Sequence, residues 1–299
     1  MTGKIVVTGA QGWMAREFIE AQFSRGFLNA RNLKLLGRSD SSLKFSNGLH
    51  LEQHNFFTEF IDDEVEGIAH LAFLTMGKLS GMSIKQYQDE NNLIINRVKT
   101  MVLENKPKWL MLVSSGAAAT ANFGHISTPL DIYGACKIQE EDVLREICAK
   151  SGTNFACGRL WGALGKFMPI NRLYAASDFI YTALTQNEIS IQNPNLVYRS
   201  YVDAGEFMSL LYEVAKSGRS IEFNSGGHLL ELTDLANKIK FFLKDIKITK
   251  TKESNILENR YLPPDESYEK LAKHFELSLS DIDSIVSNTI SGHKSQLGI

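Results

Sequence analysis

Tyr133 and Lys137 stand four residues apart in Tyr133-Gly134-Ala135-Cys136-Lys137. On a helix this spacing puts both side chains on one face, where a phenol and an ammonium can converge. A free tyrosine holds its proton up to about pH 10, too high for proton transfer near neutrality, and a nearby cation favours the phenolate. The pattern alone is common, and its ordinary meaning is a half-buried helix face. Here it follows the apolar run Trp109-Leu110-Met111-Leu112-Val113 and the hydroxyl pair Ser114-Ser115, an order that chance seldom produces.

A second group lies near the start. Ile5-Val6-Val7-Thr8 runs into Gly9-Ala10-Gln11-Gly12-Trp13-Met14-Ala15, with Gly9, Gly12 and Ala15 spaced G-x-x-G-x-x-A. Small residues let the backbone turn tightly and approach a pyrophosphate, and a helix start offers N–H groups with partial positive charge. Any tight strand-to-helix turn needs glycine, so it is the place of this turn, opening a strand–helix–strand unit, that points to a dinucleotide. A residue about 20 positions beyond the glycines meets the adenosine ribose in such units. An acid there would bond a 2′-hydroxyl. This chain instead has Arg38-Ser39 after Leu36-Gly37, a pair suited to a 2′-phosphate by charge-assisted hydrogen bonds. The expected cofactor is NADP, with NAD less favoured. The plain alternative for Arg38 is a solvated surface arginine.

Positioning these groups requires alternating strands and helices. Buried strands are expected over residues 4–8, 33–36, 67–71, 109–113 and 154–160, and helices over 13–23, 87–103 and 132–150. The alternation predicts an α/β fold with a doubly wound, Rossmann-type parallel sheet covered on both faces. After about residue 165 the apolar runs shorten and turn-rich pieces such as Asn193-Pro194-Asn195 enter. A dinucleotide-binding domain over 1–165 and a smaller α/β substrate-binding domain over 166–299, partly interleaved, are therefore expected. The second half is expected to hold helices over 205–216 and 233–243, the latter capped by Thr233, a closing helical region near 268–290 and a frayed tail from Ser291.

Composition narrows the class. The 32 Lys and Arg against 34 Asp and Glu, scattered without clustering, argue against nucleic acid as partner. No apolar run reaches the roughly 18 residues of a membrane span, and because Met1-Thr2-Gly3-Lys4 runs directly into a strand-like segment no signal peptide is expected. Cys136, Cys148 and Cys157 form an odd set without paired spacing, which points to reduced thiols and a cytoplasmic location. No HExxH or CxxC occurs, so no metal is expected. His70 reads as the end of a buried strand, and Cys136 as a small core residue.

Taken together, the glycine turn, His70-Leu71-Ala72, Ser114-Ser115 and Tyr133/Lys137 resemble the extended short-chain dehydrogenase/reductase family, and within it the nucleotide-sugar epimerase, dehydratase and reductase group. The likeness continues in Tyr198-Arg199-Ser200-Tyr201-Val202-Asp203 and Phe223-Asn224-Ser225-Gly226-Gly227. The resemblance implies that Tyr133 exchanges a proton with the sugar oxygen, that Lys137 holds the nicotinamide ribose and that Ser115, rather than Ser114, bonds the reacting oxygen. It implies that Gln11, Trp13 and Met14 line the pyrophosphate turn, that Leu71, Ala72 and Phe73 flank the cofactor, and that Asn92 supports the site from the neighbouring helix. Arg199 would hold the substrate diphosphate, and Asn55 stands where an aspartate commonly meets adenine. A homodimer through the helices carrying Leu93 and Val143 is implied in the same way.

The departures matter as much. Sugar dehydratases carry an acidic pair after the active-site hydroxyl residue, and this chain has Gly116-Ala117-Ala118. Epimerases commonly end the second strand in an aspartate, and this chain has Arg38-Ser39. Gly162 takes the place of a family asparagine that contacts the substrate phosphate. An NADPH-dependent ketoreductase of a nucleotide-linked deoxysugar is the favoured expectation, an epimerase with tightly held cofactor the alternative. A dinucleotide-binding regulator without catalysis is disfavoured by the retained Tyr, Lys and Ser.

Overall fold

Val6 and Val7 have no solvent exposure and Ile5 almost none, as expected of an apolar strand at the centre of a sheet covered on both faces. The computed structural model describes residues 3–45, 48–121, 128–170, 173–251 and 257–299. The first part of the chain forms β1 (Lys4–Thr8), α1 (Trp13–Ser24), β2 (Leu33–Gly37), β3 (Ser41–Lys44), β4 (His50–Asn55) and β5 (Val65–His70). Then come α2 (Ile84–Asn105), β6 (Trp109–Ser115), α3 (Gly116–Thr120), α4 (Pro129–Ser151) and β7 (Asn154–Leu160). The second part forms β8 (Ala163–Leu164), α5 (Ala175–Gln186), β9 (Glu188–Ile191), β10 (Leu196–Asp203), α6 (Ala204–Lys216) and β11 (Ile221–Asn224). It closes with β12 (His228–Glu231), α7 (Leu232–Leu243), β13 (Lys247–Lys250), β14 (Glu258–Tyr261), α8 (Ser267–His274) and α9 (Ile282–Leu297).

An eight-stranded sheet runs in the order β11-β7-β6-β5-β1-β2-β4-β3. The neighbours from β7 to β4 pair in parallel, while β3 returns antiparallel on β4. This is the Rossmann-type α/β sheet expected from the sequence. Strand order reverses at β1, between β5 and β2, and in such sheets ligands bind beyond the carboxyl ends of the strands at that reversal. Alternation along β6 shows both faces covered. Trp109 stacks edge-on against Tyr212 of α6, while its neighbour Leu110 joins Val98 of α2 and Leu144 of α4 in one core cluster.

The chain divides into two compact units: Met1–Leu160 with Met208–Phe223, and Trp161–Phe207 with Asn224–Ile299. In the second unit β10 pairs antiparallel with β12 and parallel with β14 and β8, and β9 pairs with β13.

Several local expectations need correction. Helix α4 begins at Pro129 rather than Ile132, because Thr128 and Asp131 form a reciprocal capping box with proline in the first turn. Helix α7 is capped by Glu231, whose carboxylate accepts the Thr233 N–H, not by Thr233 itself. The closing region is two helices, α8 and α9. The tail from Ser291 is not frayed: α9 continues to Leu297, His293 is fully buried, and a β-carbon on Gly292 would stand 2.0 Å from the Lys166 carbonyl oxygen.

Candidate active site

The turn after β1 is shaped by close backbone approach. Gly9 has φ +67°, and a β-carbon there would stand 2.7 Å from the Leu71 carbonyl oxygen and 2.8 Å from Ala72. Only glycine allows the turn to lie this tightly against the segment leaving β5. The Gly12 N–H closes the turn on the Gly9 carbonyl at 2.8 Å, and α1 starts at Trp13 with no side-chain cap and no acidic residue in its first turn. Gln11 and Gly12 are exposed, Trp13 and Met14 half-buried, and Ala15 fully buried against the sheet. Such an uncapped, glycine-lined helix start fits a pyrophosphate. The Gln11 amide donates to Ser41 Oγ at 3.1 Å.

The segment after β5 is pinned from three sides. Thr8 Oγ1 accepts the N–H groups of Leu71 and Ala72 at 3.1 and 3.2 Å. The Asn91 carboxamide accepts the Leu74 N–H at 2.9 Å, and the Tyr87 hydroxyl donates to the Leu74 carbonyl. Leu71, Ala72 and Phe73 are thereby held half-buried beside the glycine turn. Asn91 makes this contact from α2, while its neighbour Asn92 is half-buried. Beyond β2, Arg38 and Ser39 are exposed, and the Ser39 carbonyl accepts from the Gln53 amide at 2.7 Å. Asp40 accepts the Asn55 N–H at 2.8 Å, and the Asn55 side chain accepts from Phe57 N–H at 2.9 Å.

Ser114 and Ser115 part ways at the end of β6. Ser114 is buried and donates to Glu141, which also takes a two-pronged bond from Arg159 at 3.0 and 2.6 Å. Ser115 is half-buried and caps α3 by accepting the Ala117 N–H, which leaves its own hydrogen to donate. Helix α4 lies against α3 at Gly134, where a β-carbon would meet the Ala117 carbonyl oxygen at 2.4 Å. This contact brings the start of α4, with Tyr133, against the element that Ser115 caps.

Tyr133 is half-buried and its ring meets Phe73 edge-on at 6.0 Å. Lys137 is 4% exposed. Its ammonium donates to the Val113 carbonyl at 3.1 Å and to Glu140 Oε2 at 2.8 Å, and sits 3.8 Å from the centre of the Phe73 ring. One N–H donor is left over. Burial disfavours the charge on both members of the pair. The neighbouring carboxylate nevertheless holds the Lys137 ammonium above its usual range, and Lys137 with His70 holds the Glu140 carboxyl below its own. Burial pushes the Cys136 and Cys157 thiols up, so both stay protonated among core residues.

In the second unit, Arg199 is half-buried and donates to the Tyr198 carbonyl at 2.7 Å and to Asn259 Oδ1 at 2.9 Å, with the Tyr261 ring 5.8 Å away. Burial draws its guanidinium below the usual range, a desolvated cation of the kind that suits an anionic ligand. A β-carbon on Gly162 would meet the Ser200 carbonyl oxygen at 2.4 Å, so a larger residue is excluded there.

Sequence reasoning missed Thr8, Tyr87, Gly134 and Glu140. All act through contacts between elements remote in the chain or through the phase of a helix. His70 was recognised only as a strand end. Among the described residues no cluster of His, Cys, Asp or Glu could hold a metal ion, and no helix is long and apolar enough to cross a membrane.

Solved structures share this architecture at low identity. A UDP-N-acetylglucosamine 4-epimerase from Methanobrevibacter ruminantium M1, in complex with UDP-N-acetylmuramic acid, is 18% identical with a TM-score of 0.75, over 99% of both chains. A UDP-glucose 4-epimerase from Thermotoga maritima, with UDP-glucose, is 16% identical with a TM-score of 0.74, over 98% of this chain and 99% of that one. A dTDP-glucose 4,6-dehydratase from Streptomyces venezuelae, a double mutant with NAD bound, is 14% identical with a TM-score of 0.72, over 99% and 98%. No curated protein matches the chain. The family model for NAD dependent epimerase/dehydratases matches residues 5–226, which carry the glycine turn, Ser115, Tyr133, Lys137 and Arg199. The chain belongs to the NAD dependent epimerase/dehydratase family, enzymes of the extended short-chain dehydrogenase/reductase type.

Proposed function

We propose that this enzyme is an NADPH-dependent reductase of a keto group on a nucleotide-linked deoxysugar. The observation that carries this reading is the seat of α3. Ala117 and Ala118 are 1% and 4% exposed, and the Ala117 carbonyl packs against Gly134. The buried Gly116-Ala117-Ala118 after Ser115 carries no acid or base that could eliminate water, while Tyr133, Lys137 and Ser115 are all present.

The glycine turn and the start of α1 would hold the pyrophosphate, and Arg38 with Ser39 the 2′-phosphate. When bound, the reduced nicotinamide supplies a hydride to the carbonyl carbon. Ser115 donates a hydrogen bond to the carbonyl oxygen and orients it. Tyr133 gives that oxygen its phenolic proton, so the C=O becomes CH–OH and the residue is left as phenolate beside Lys137. Solvent then returns the proton. Arg199, desolvated and presented beside Tyr261, is assigned to the diphosphate of the substrate.

Incubation with purified 4-keto-6-deoxy nucleotide sugars should consume one NADPH per alcohol formed, read by loss of the reduced-nicotinamide absorbance. Absence of turnover with every such sugar sinks the assignment. The second reading, an epimerase with tightly held cofactor, is favoured by the likeness to the two 4-epimerases. It calls for sugar inversion without net cofactor use and for cofactor that copurifies.

A cytoplasmic homodimer completes the proposal. Its support is the set of three buried free thiols and the exposed Leu93 and Leu103 of α2 and Leu130 of α4. Light scattering of the purified protein tests the dimer.

A further inference from the structure

Glu140 has no part in the chemistry above, yet it is a fully buried carboxylate touching the lysine of the site. Burying an ionised carboxylate costs several kcal/mol unless each oxygen is matched. Glu140 Oε2 receives the Lys137 ammonium at 2.8 Å. Oε1 lies 3.0 Å from His70 Nε2 at ion-pair distance, and neither of these two buried atoms makes a hydrogen bond. The His70 ring continues to Thr8, its Nδ1 2.8 Å from Thr8 Oγ1.

The protons along this chain can be placed by counting. Thr8 Oγ1 already accepts two backbone N–H groups, from Leu71 and Ala72, which fills its two lone pairs. Its own hydrogen is what remains, and it points at His70 Nδ1. Nδ1 therefore accepts, and in the neutral ring the proton sits on Nε2, facing Glu140. The carboxylate thus has an N–H group beside each oxygen, from α4 at hydrogen-bond geometry and from β5 at ion-pair distance. A glutamine could not satisfy both, because its amide group would meet one donor with another.

We propose that Glu140, braced by His70, is a positioning residue of the active site: it seats the Lys137 ammonium and offsets part of its charge, so that Tyr133 faces a lysine–glutamate couple instead of a lone cation. The inference rests on the reading of Tyr133 and Lys137 as the reacting pair. Tyr133 is near enough for its charge to be felt at Lys137. The other titratable groups around the couple do not blur this arrangement. Tyr87 of α2, Cys136 of α4 and Cys157 of β7 are all pushed up by burial and stay neutral, while Glu141 is matched by Arg159.

The test compares the parent with Glu140→Gln by ultraviolet difference titration of tyrosinate, each corrected with its own Tyr133→Phe counterpart. Removing the anion should make the Tyr133–Lys137 pair release its first proton about one pH unit lower or more, whichever member loses it. Glu140→Asp, which keeps the charge, should move the curve back toward the parent. Should Glu140→Gln fail to fold, nitrogen NMR of histidine-labelled parent protein gives the second reading. His70 should carry its proton on Nε2, and a proton on Nδ1 overturns the arrangement. Superimposed tyrosinate curves, with only the melting temperature lowered, would reduce Glu140 to a structural residue. No substrate enters these measurements, so failure to reduce any sugar counts against the proposed function alone.

Discussion

Gly134 lies directly beneath Ala117: a β-carbon on the glycine would stand 2.4 Å from the Ala117 carbonyl oxygen. Backbone sits on that side, so the contact cannot be relieved by a side-chain rotation. Gly134→Ala should force α4 away from α3, costing about 1–3 kcal/mol on the scale of overpacked cores. Activity should fall further than stability, because Tyr133 is the adjacent residue. Thermal melts and kcat/KM measured together check this; an unchanged kcat with a lowered Tm would show that the helix spacing does not serve the reaction.

Tyr133→Phe removes the proton donor and keeps the ring against Phe73. Activity should drop about 10²–10⁴-fold, the usual contribution of a placed acid or base. Binding of dinucleotide, followed by fluorescence, should stay within a few-fold of the parent. Activity that survives this change at the parent's level argues that the phenol is a spectator.

Arg38→Ala should weaken NADPH much more than NADH. A hydrogen bond to a charged group contributes about 1.5–3 kcal/mol, or roughly 10- to 150-fold in affinity. Ser39→Asp should go further and reverse the preference. Titration calorimetry with both dinucleotides decides it, and equal losses for the two would place Arg38 outside the ribose site.

Stability against pH should bear the mark of the Lys137–Glu140 couple. The Glu140 carboxyl is held below its ordinary value, so its contribution is complete above about pH 4.3 and drains away as pH falls through the lowered native value. The Lys137 ammonium is held above its ordinary value, so its contribution is complete below about pH 10.4 and is lost only as pH rises beyond that. Melting temperature should therefore fall more steeply in acid for the parent than for Glu140→Gln. Parallel acid limbs would mean that the couple does not stabilise the fold.

How far the sequence could be read depended on the range of the forces involved. The strands of the large sheet announce themselves by local apolar runs, and β7 begins and ends where its residues suggest. The glycine turn was visible because its chemistry is packed into seven residues. Contacts between distant segments left no such trace. Nothing near Asn91 says that its carboxamide reaches Leu74, and nothing near Thr8 says that it gathers two amides 63 and 64 residues away. Glu140 looks in sequence like one more acid in Gln139-Glu140-Glu141-Asp142, a run that reads as a solvated face. Only the helix phase set by the capping box at Thr128 turns Glu140 and Glu141 inward and leaves Asp142 outside. Arg38 and Ser39 follow β2 as the sequence suggests, and their part in holding a 2′-phosphate stays a proposal.

The antiparallel strand β3, four residues with Ser41, Ser42 and Lys44 on it, forms one border of the parallel sheet. A parallel sheet ending in β4 would offer a long unpaired rim to any passing chain. A brief polar strand running the other way is a poor template for further pairing, since lysine and short length both discourage it. Removing residues 41–44 should thus be felt first as clumping during overexpression, before any loss of catalysis could be measured.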